Sequence, residues 1–151
     1  MKKSKKIINS MKISFPSLSV NESAARAVVA AFSAQADPTT NELADIKCAV
    51  SEAVTNSIVH AYPDTIGEIY ISVLILEGRI IKIQIKDKGK GIEDVAKARE
   101  PLYTTSPESE RSGMGFTVME SFTDKMSVRS KVGKGTTVVL LKALGERKMA
   151  E

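Results

Sequence analysis

Residues 68–87 read EIYISVLILEGRIIKIQIKD, and this stretch decides the fold because it describes two strands joined by a tight turn. The first strand alternates between two apolar faces, one of which carries Ile69, Ile71, Val73 and Ile75. After Glu77-Gly78, the second strand alternates isoleucines with Lys82, Gln84 and Lys86. Period-two alternation of this kind predicts an antiparallel hairpin with one buried face and one wet face.

Helical patterns precede this hairpin, and more strands follow it. Predicted capping boxes at Ser19–Glu22 and Thr39–Glu42 open helices that end near Ala36 and Ala61. Further strands are predicted at residues 12–16, 125–131 and 136–142, and shorter helices near 93–99 and 114–122. Helices first and hairpins later predict an α/β two-layer sandwich, whose mostly antiparallel mixed sheet is covered by helices on one face.

The composition indicates one ordinary globular domain. The 151 residues are 42% hydrophobic and 26% charged, which excludes both a disordered chain and a membrane-embedded one. No apolar run is long enough to span a bilayer, and the single cysteine, Cys48, fits a reducing cytoplasm. We expect one cytoplasmic domain over residues 1–151, with a flexible basic tail at 1–10 and a second tail at 144–151.

The net charge of +4 is concentrated near the beginning of the chain. The first twelve residues contain no acid and five lysines, which are Lys2, Lys3, Lys5, Lys6 and Lys12. The rest of the chain is close to neutral. We therefore expect the basicity to belong to a tail and not to a folded face, with no membrane partner and no direct nucleic-acid partner.

The second predicted helix carries a carboxylate and an amide one turn apart, at Glu52 and Asn56. Its apolar stripe consists of Leu43, Ile46, Val50, Val54, Ser57, Ile58 and Ala61. Glu52 and Asn56 lie off that stripe, so core packing does not account for them. Two interpretations stay open: a solvated helix face, or a site with a general base and a metal ligand.

Asp87, at the end of the hairpin, shares strand parity with the isoleucines and should point toward the helix-covered side. A carboxylate there is costly unless a donor hydrogen-bonds to it, and the exocyclic amino group of adenine would serve. Gly89 and Gly91 would let a flat ring approach the backbone. The alternative is a common turn-forming Asp-x-Gly after a strand.

A second glycine loop, Ser112-Gly113-Met114-Gly115, precedes a predicted helix. Exposed N–H groups at a helix start bind phosphate, and Arg111 could meet a terminal phosphate. The alternative is a plain glycine-rich helix start. A P-loop is excluded by spacing, the eukaryotic kinase motifs are missing, and the only histidine, His60, is expected to be structural.

In this order, the motifs resemble those of the Bergerat-type ATP-binding fold shared by histidine kinases, gyrase and MutL-type proteins. Glu52–Asn56 resembles its N box, Asp87–Gly91 its first glycine box and Gly113–Gly115 its second. Thr136 resembles the threonine at a strand entry that supports adenine.

A closer resemblance, over nearly the whole chain, is to the anti-sigma factor serine kinases of spore-forming bacteria. It is carried by residues 21–26, 51–56, 101–105 and 111–116. The resemblance implies binding of ATP and Mg²⁺, with Asp87 reading adenine, Asn56 holding the metal and residues 93–112 forming a lid. It also implies Glu52 as the group that takes or orients the substrate proton and Arg111 as a stabiliser of the transferring phosphoryl group. The other implied nucleotide contacts are Gly89, Gly91, Thr105, Ser112, Gly113, Met114, Gly115, Phe116 and Thr136.

The same resemblance implies three protein partners: a sigma factor of the sigma F type, an anti-anti-sigma protein whose serine is phosphorylated, and a second copy of the chain. Glu22 and Arg26 form a surface pair on the first helix and are the implied partner-binding residues. Three rivals stay open: a non-catalytic ATP-binding regulator, the catalytic domain of a divided histidine kinase, and a nucleic-acid binder that uses the lysine tail.

Overall fold

A computed structural model describes residues 4–100 and 115–145. The strands are β1 (Ile7–Pro16), β2 (Glu68–Leu76), β3 (Ile80–Asp87), β4 (Lys125–Lys131) and β5 (Gly135–Ala143). The helices are α1 (Asn21–Ser33), α2 (Thr40–Asn56), α3 (Val95–Ala98) and α4 (Gly115–Ser121). A short 3₁₀ turn, Ala34–Ala36, follows α1, and α2 continues into a wider π-type turn, Ser57–Ala61. None of the helices in these ranges has the length and apolar character needed to cross a membrane.

The five strands form one sheet in the order β1-β2-β3-β5-β4. All four neighbouring pairs are antiparallel, so the predicted mixed sheet has no parallel pair among the described strands. The predicted hairpin is confirmed, with Ile71 opposite Ile85 and Val73 opposite Ile83. The helices pack against one face, which confirms the two-layer α/β architecture.

The core lies between α2 and the inner face of the sheet. The isoleucines predicted to share that face are buried, as are the residues of α2 that meet them, Ile46, Ala49, Val50, Ala53 and Val54. Burying one such aliphatic side chain is worth roughly 1.5–3 kcal/mol, so this contact fixes how α2 lies on the sheet. Every residue of α2 that faces the other way is thereby placed at the margin of the core.

Two sequence predictions about element ends are corrected. The side chain of Ser19 does not cap α1, which begins at Asn21 after Val20 without a side-chain cap. The second capping box is confirmed, because Thr39 accepts from the N–H of Glu42 and Glu42 accepts from the N–H of Thr39. β1 begins at Ile7, so part of the predicted basic tail is paired with β2.

The entry to β5 passes very close to the end of β3. Gly135 has a φ of 119°, and a Cβ built there would overlap the carbonyl oxygen of Asp87 and lie 2.8 Å from the Cα of Lys88. Gly133, two residues earlier, also has a positive φ of 78°, but a Cβ there would meet nothing within 4 Å. Substitutions at the two positions can therefore distinguish the cost of backbone strain from the cost of steric overlap.

We predict that Gly133→Ala lowers the free energy of unfolding by about 1 kcal/mol through backbone strain alone. Gly135→Ala adds overlap with a neighbouring backbone and should cost about 1–3 kcal/mol more. Urea unfolding of both variants measures the difference. Equal losses would contradict the close packing of β5 on the end of β3.

Candidate functional site

A cavity of about 920 Å³ opens between the C-terminal half of α2, the end of β3 and the start of α4. It brings together residues from all the motifs that the described chain contains. These residues are Glu52, Asn56, Asp87, Gly91, Gly115, Phe116 and Thr136. Side chains distant in sequence thus line one space large enough for a nucleotide-sized ligand.

Asp87 is the most buried charged group of the cavity, with 4% of its surface exposed. Its Oδ1 accepts from the N–H of Gly89 at 3.0 Å and from the N–H of Thr136 at 3.1 Å. Its Oδ2 accepts from the hydroxyl of Ser57 at 3.1 Å. The protein itself therefore supplies donors for a carboxylate that the sequence suggested would need a ligand. Two carboxylate oxygens offer about four acceptor sites, so a further donor can still be bound.

Burial raises the pKa of the Asp87 carboxyl above its usual range. The hydrogen bonds from Gly89, Ser57 and Thr136 oppose this by stabilising the charged form, but burial is the largest contribution. A donor supplied by a ligand would stabilise the carboxylate further. The site is thus electrostatically suited to a neutral donor such as an amino group.

The two glycines after Asp87 make contact with the protein's own backbone. A Cβ on Gly89 would lie 2.5 Å from the Cβ of Ala61, and one on Gly91 would lie 2.7 Å from the carbonyl carbon of Lys131. Of the two, only Gly91 lines the cavity. The sequence interpretation, in which both glycines admit a ring, is therefore incomplete, because their small size also lets three chain segments meet.

Thr136 supports Asp87 through its backbone N–H. Its hydroxyl lies 2.8 Å from the hydroxyl of Ser130 and forms a hydrogen bond there. Ser57 was placed on the apolar stripe of α2 by its spacing, and its role as a donor to Asp87 was missed. The sequence signal that could have indicated this role is the hydroxyl of Ser57, which follows Asn56 and is the only polar group on the predicted apolar stripe.

A second missed residue is Tyr62, which is 8% exposed. Its hydroxyl accepts from the N–H of Lys88 at 2.7 Å and donates to the carbonyl of Glu68 at 2.8 Å. Burial raises its pKa, so the phenol keeps the proton that it donates. Tyr62 thereby fixes the backbone immediately after Asp87.

Glu52 and Asn56 lie on the half-buried side of α2 that borders the cavity. A Cβ on Gly115 would come within 2.9 Å of Oδ1 and 3.0 Å of Nδ2 of Asn56, so the start of α4 packs directly on this amide. Carboxylate and amide oxygens are suitable Mg²⁺ ligands. No group of three or more acidic, histidine or cysteine residues that could hold a metal occurs in the described ranges. A cation here would therefore take its other ligands from phosphate and water.

Part of the predicted second glycine loop and two other predicted site residues lie outside the described residues. This applies to Thr105, Arg111, Ser112, Gly113 and Met114. Gly115 and Phe116 are described, and both line the cavity, where the apolar side chains of Ile92, Val132 and Val138 complete the wall. Five residues from the first part of the predicted lid, Glu93, Asp94, Val95, Lys97 and Ala98, also border it.

Lysines at the cavity were not singled out from the sequence. Lys90, inside the first glycine box, and Lys97, on α3, both line it, as does His60. Lys90 occupies an unspecified position of the Asp87-x-Gly89-x-Gly91 motif, so the motif did not predict a function for it. The two lysines bring positive charge to a cavity that is also lined by the acidic residues Glu52, Asp87, Glu93 and Asp94.

Glu22 and Arg26 lie on α1, away from the cavity. The predicted pair is confirmed at 3.9 Å, with 42% of the Arg26 side chain exposed. The hydroxyl of Ser51 donates to the carboxylate of Glu22. The exposed pair is thereby connected to α2 at the residue that precedes Glu52.

We predict a pH-dependent effect of Asp87→Asn on stability. Asp87 keeps its proton to a higher pH in the folded protein than in the unfolded chain. Its contribution to the free energy of unfolding therefore falls as the pH rises from about 4 to the raised pKa, and is constant above that pKa. The free energy of unfolding of the variant minus that of the wild type should therefore rise with pH across this window and then level off. Urea unfolding at several pH values measures this difference, and a fall with pH would contradict the burial of the charge.

Comparison with known sequences identifies close relatives. The family model for the histidine kinase-like ATPase domain matches residues 15–142. An anti-sigma F factor of Anoxybacillus flavithermus is 57% identical over 141 residues, covering 93% of this chain and 96% of its own. An anti-sigma F factor of Caldanaerobacter subterraneus subsp. tengcongensis is also 57% identical, over 140 residues, covering 93% and 97%.

Solved structures share the fold at lower identity. The RsbU and RsbW domains of a Mycobacterium tuberculosis protein align with a TM-score of 0.68 at 18% identity, covering 92% of this chain and 33% of that one. A blue-light activated histidine kinase of Erythrobacter litoralis aligns with a TM-score of 0.57 at 23% identity, covering 72% and 32%. With the family match and the two relatives, the chain belongs to the histidine kinase-like ATPase family and, within it, to the anti-sigma F factors.

Proposed function

We propose that this protein is an ATP-dependent anti-sigma factor that also phosphorylates a serine of its antagonist. The observation that carries the proposal is the single cavity in which Glu52, Asn56 and Asp87 meet. Its relatives at 57% identity are named anti-sigma F factors and match over nearly their full length. Sequestration of a sigma factor of the sigma F type is therefore the first output.

In the proposed complex, adenine binds at Asp87. Its exocyclic amino group donates to the carboxylate, while Ile92, Val132 and Val138 cover the ring. The backbone N–H of Thr136 supports this arrangement because it holds Oδ1 in place. Residues 93–112 form the lid over the nucleotide, and five residues between 93 and 98 line the cavity.

Mg²⁺ is the metal that fits the chemistry of the donors in the cavity. The amide oxygen of Asn56 would be its protein ligand, since one or two protein oxygens plus phosphates are typical for this ion. Bound there, Mg²⁺ would offset negative charge on the phosphates. Lys90 adds a cation at the same cavity.

Transfer requires a group that receives the serine proton. The serine oxygen forms a bond to the γ-phosphorus, the bond from that phosphorus to the bridging oxygen of ADP breaks, and Glu52 takes the hydroxyl proton. Such transfer depends mainly on positioning and electrostatics. Arg111 remains the proposed stabiliser of the transferring group.

The proposed protein partners bind at α1. Val20 and Val28 are 73% and 41% exposed, and the exposed Arg26 lies in the same segment. The bond from Ser51 to Glu22 connects this surface to the turn of α2 that carries Glu52. A partner docked on α1 therefore lies near the catalytic carboxylate, which suits an anti-anti-sigma protein as substrate.

A homodimer is the proposed assembly. β1 pairs only with β2 among the described strands and is an edge of the sheet. Ile7 and Ile8 on this edge are 54% and 60% exposed. Exposed apolar side chains beside unpaired backbone groups support association through this edge.

We predict that Glu52→Gln abolishes phosphoryl transfer and leaves ATP affinity within about twofold, because the amide keeps the shape but cannot take a proton. The measurement is transfer of label from γ-labelled ATP to the anti-anti-sigma protein, with ATP binding measured by calorimetry. Glu77→Gln, at the β2–β3 turn far from the cavity, is the matched control.

Three outcomes distinguish the alternatives. Label on serine with the wild type and the control, and none with Glu52→Gln, supports the kinase. Acid-labile label on histidine would support a divided histidine kinase, and no label despite ATP binding would support a non-catalytic regulator. Transfer retained by Glu52→Gln would contradict its assignment as the base.

A further inference from the structure

The outer face of the sheet, away from the helices, is strongly basic. Seven cationic side chains belong to it by strand register or by contact with it, which are Lys12, Lys82, Lys86, Lys88, Lys125, Arg129 and Lys131. One carboxylate, Glu68, shares the face within the described strands, at its border opposite Pro16. The expectation that the positive charge belongs to a tail alone was therefore wrong.

Four of these cations stand at regular positions. Lys82 is opposite Leu141, which is opposite Lys125, and Lys86 is opposite Thr137, which is opposite Arg129. Strand geometry gives about 14 Å between cations on one strand and about 10 Å between the two strands that carry them. None of the seven cations takes part in an ion pair within the described part of the chain. Their charge is available to an external anion.

A shallow groove of about 460 Å³ crosses the β1–β2–β3 part of this face. Lys12, Lys86 and Lys88 line it, together with the uncharged polar side chains of Ser14, Ser72 and Gln84. The ring of Tyr70 also lines it, with the Nζ of Lys88 5.2 Å from the ring centroid. No acidic side chain is among its lining residues. The groove thus offers hydrogen-bond donors, positive charge and one aromatic ring.

We propose that this outer face binds the sugar–phosphate backbone of single-stranded nucleic acid. Phosphates would meet the lysines and Arg129, and the hydroxyls of Ser14 and Ser72 would contact phosphate or sugar. Tyr70 would stack on one base when Lys88 turns from the ring to a phosphate. Sites for single-stranded nucleic acid generally combine a basic surface along the phosphate backbone with aromatic side chains that stack on bases. Five strands span about 19 Å, enough for several nucleotides.

Other anionic partners fit this face less well. The face is an open sheet without a projecting helix or ribbon, whereas duplex reading uses an element that enters a groove. Two rows of this face, from Ser14 to Arg129 and from Lys12 to Ser127, carry mainly polar and charged side chains, unlike the apolar centre of a protein interface. The apolar side chains of the face, Leu74, Leu76, Ile80 and Leu141, lie toward its β2–β3 turn end. No strongly exposed large apolar side chain stands in these rows to insert into a bilayer.

The test is fluorescence anisotropy of the full chain with labelled 20-nucleotide dT and U strands at several salt concentrations. Lys86→Glu and Arg129→Glu should each weaken binding about fivefold to tenfold and reduce the salt slope by about one. Lys47→Glu, an exposed lysine on α2, and removal of residues 1–6 are the matched controls, expected to stay within twofold. Unchanged ATP affinity of each variant verifies that it is folded.

Several results would overturn the proposal. Equal weakening by Lys86→Glu and Lys47→Glu would show a non-specific charge effect, and loss on removing residues 1–6 would assign binding to the tail. Polyglutamate competing as well as oligonucleotide at equal charge would indicate an acidic protein partner. A preference for the duplex of the same sequence, or no binding at low salt, would equally defeat it.

Discussion

The structure depends on one constraint, the burial of a carboxylate at the end of the central hairpin. Asp87 is held by donors from three places: the turn after β3, the entry to β5 and the end of α2. A buried charge without such donors would cost several kcal/mol. The same bonds that make its burial tolerable therefore tie the helix layer to the sheet where the cavity opens.

This arrangement places the proposed nucleotide site and the proposed partner surface on neighbouring helices. α2 meets the sheet through its apolar stripe, presents Glu52 and Asn56 to the cavity, and reaches α1 through Ser51 and Glu22. In the proposed complexes, the nucleotide would contact α2 and the protein partner would contact α1, and the bond from Ser51 to Glu22 joins these two helices.

Much of the fold could be predicted from the sequence because its signals are local. Period-two alternation gave the β2–β3 hairpin, and the Thr39–Glu42 box gave the start of α2. The donors to Asp87 could not be predicted, since Ser57 and Thr136 reach it only through tertiary packing. The basic outer face was missed for the same reason: residues far apart in sequence become neighbours only through strand order.

The most direct test of the central claim is calorimetry of the wild-type protein with ATP and with GTP in the presence of Mg²⁺. Adenine offers an amino donor to Asp87, whereas guanine presents a carbonyl acceptor at the same ring position. The account predicts that ATP binds and that GTP binds at least about tenfold more weakly, since a buried acceptor rejects a ligand that lacks the donor. Equal affinity for both nucleotides, or no uptake of either by folded protein, would contradict it.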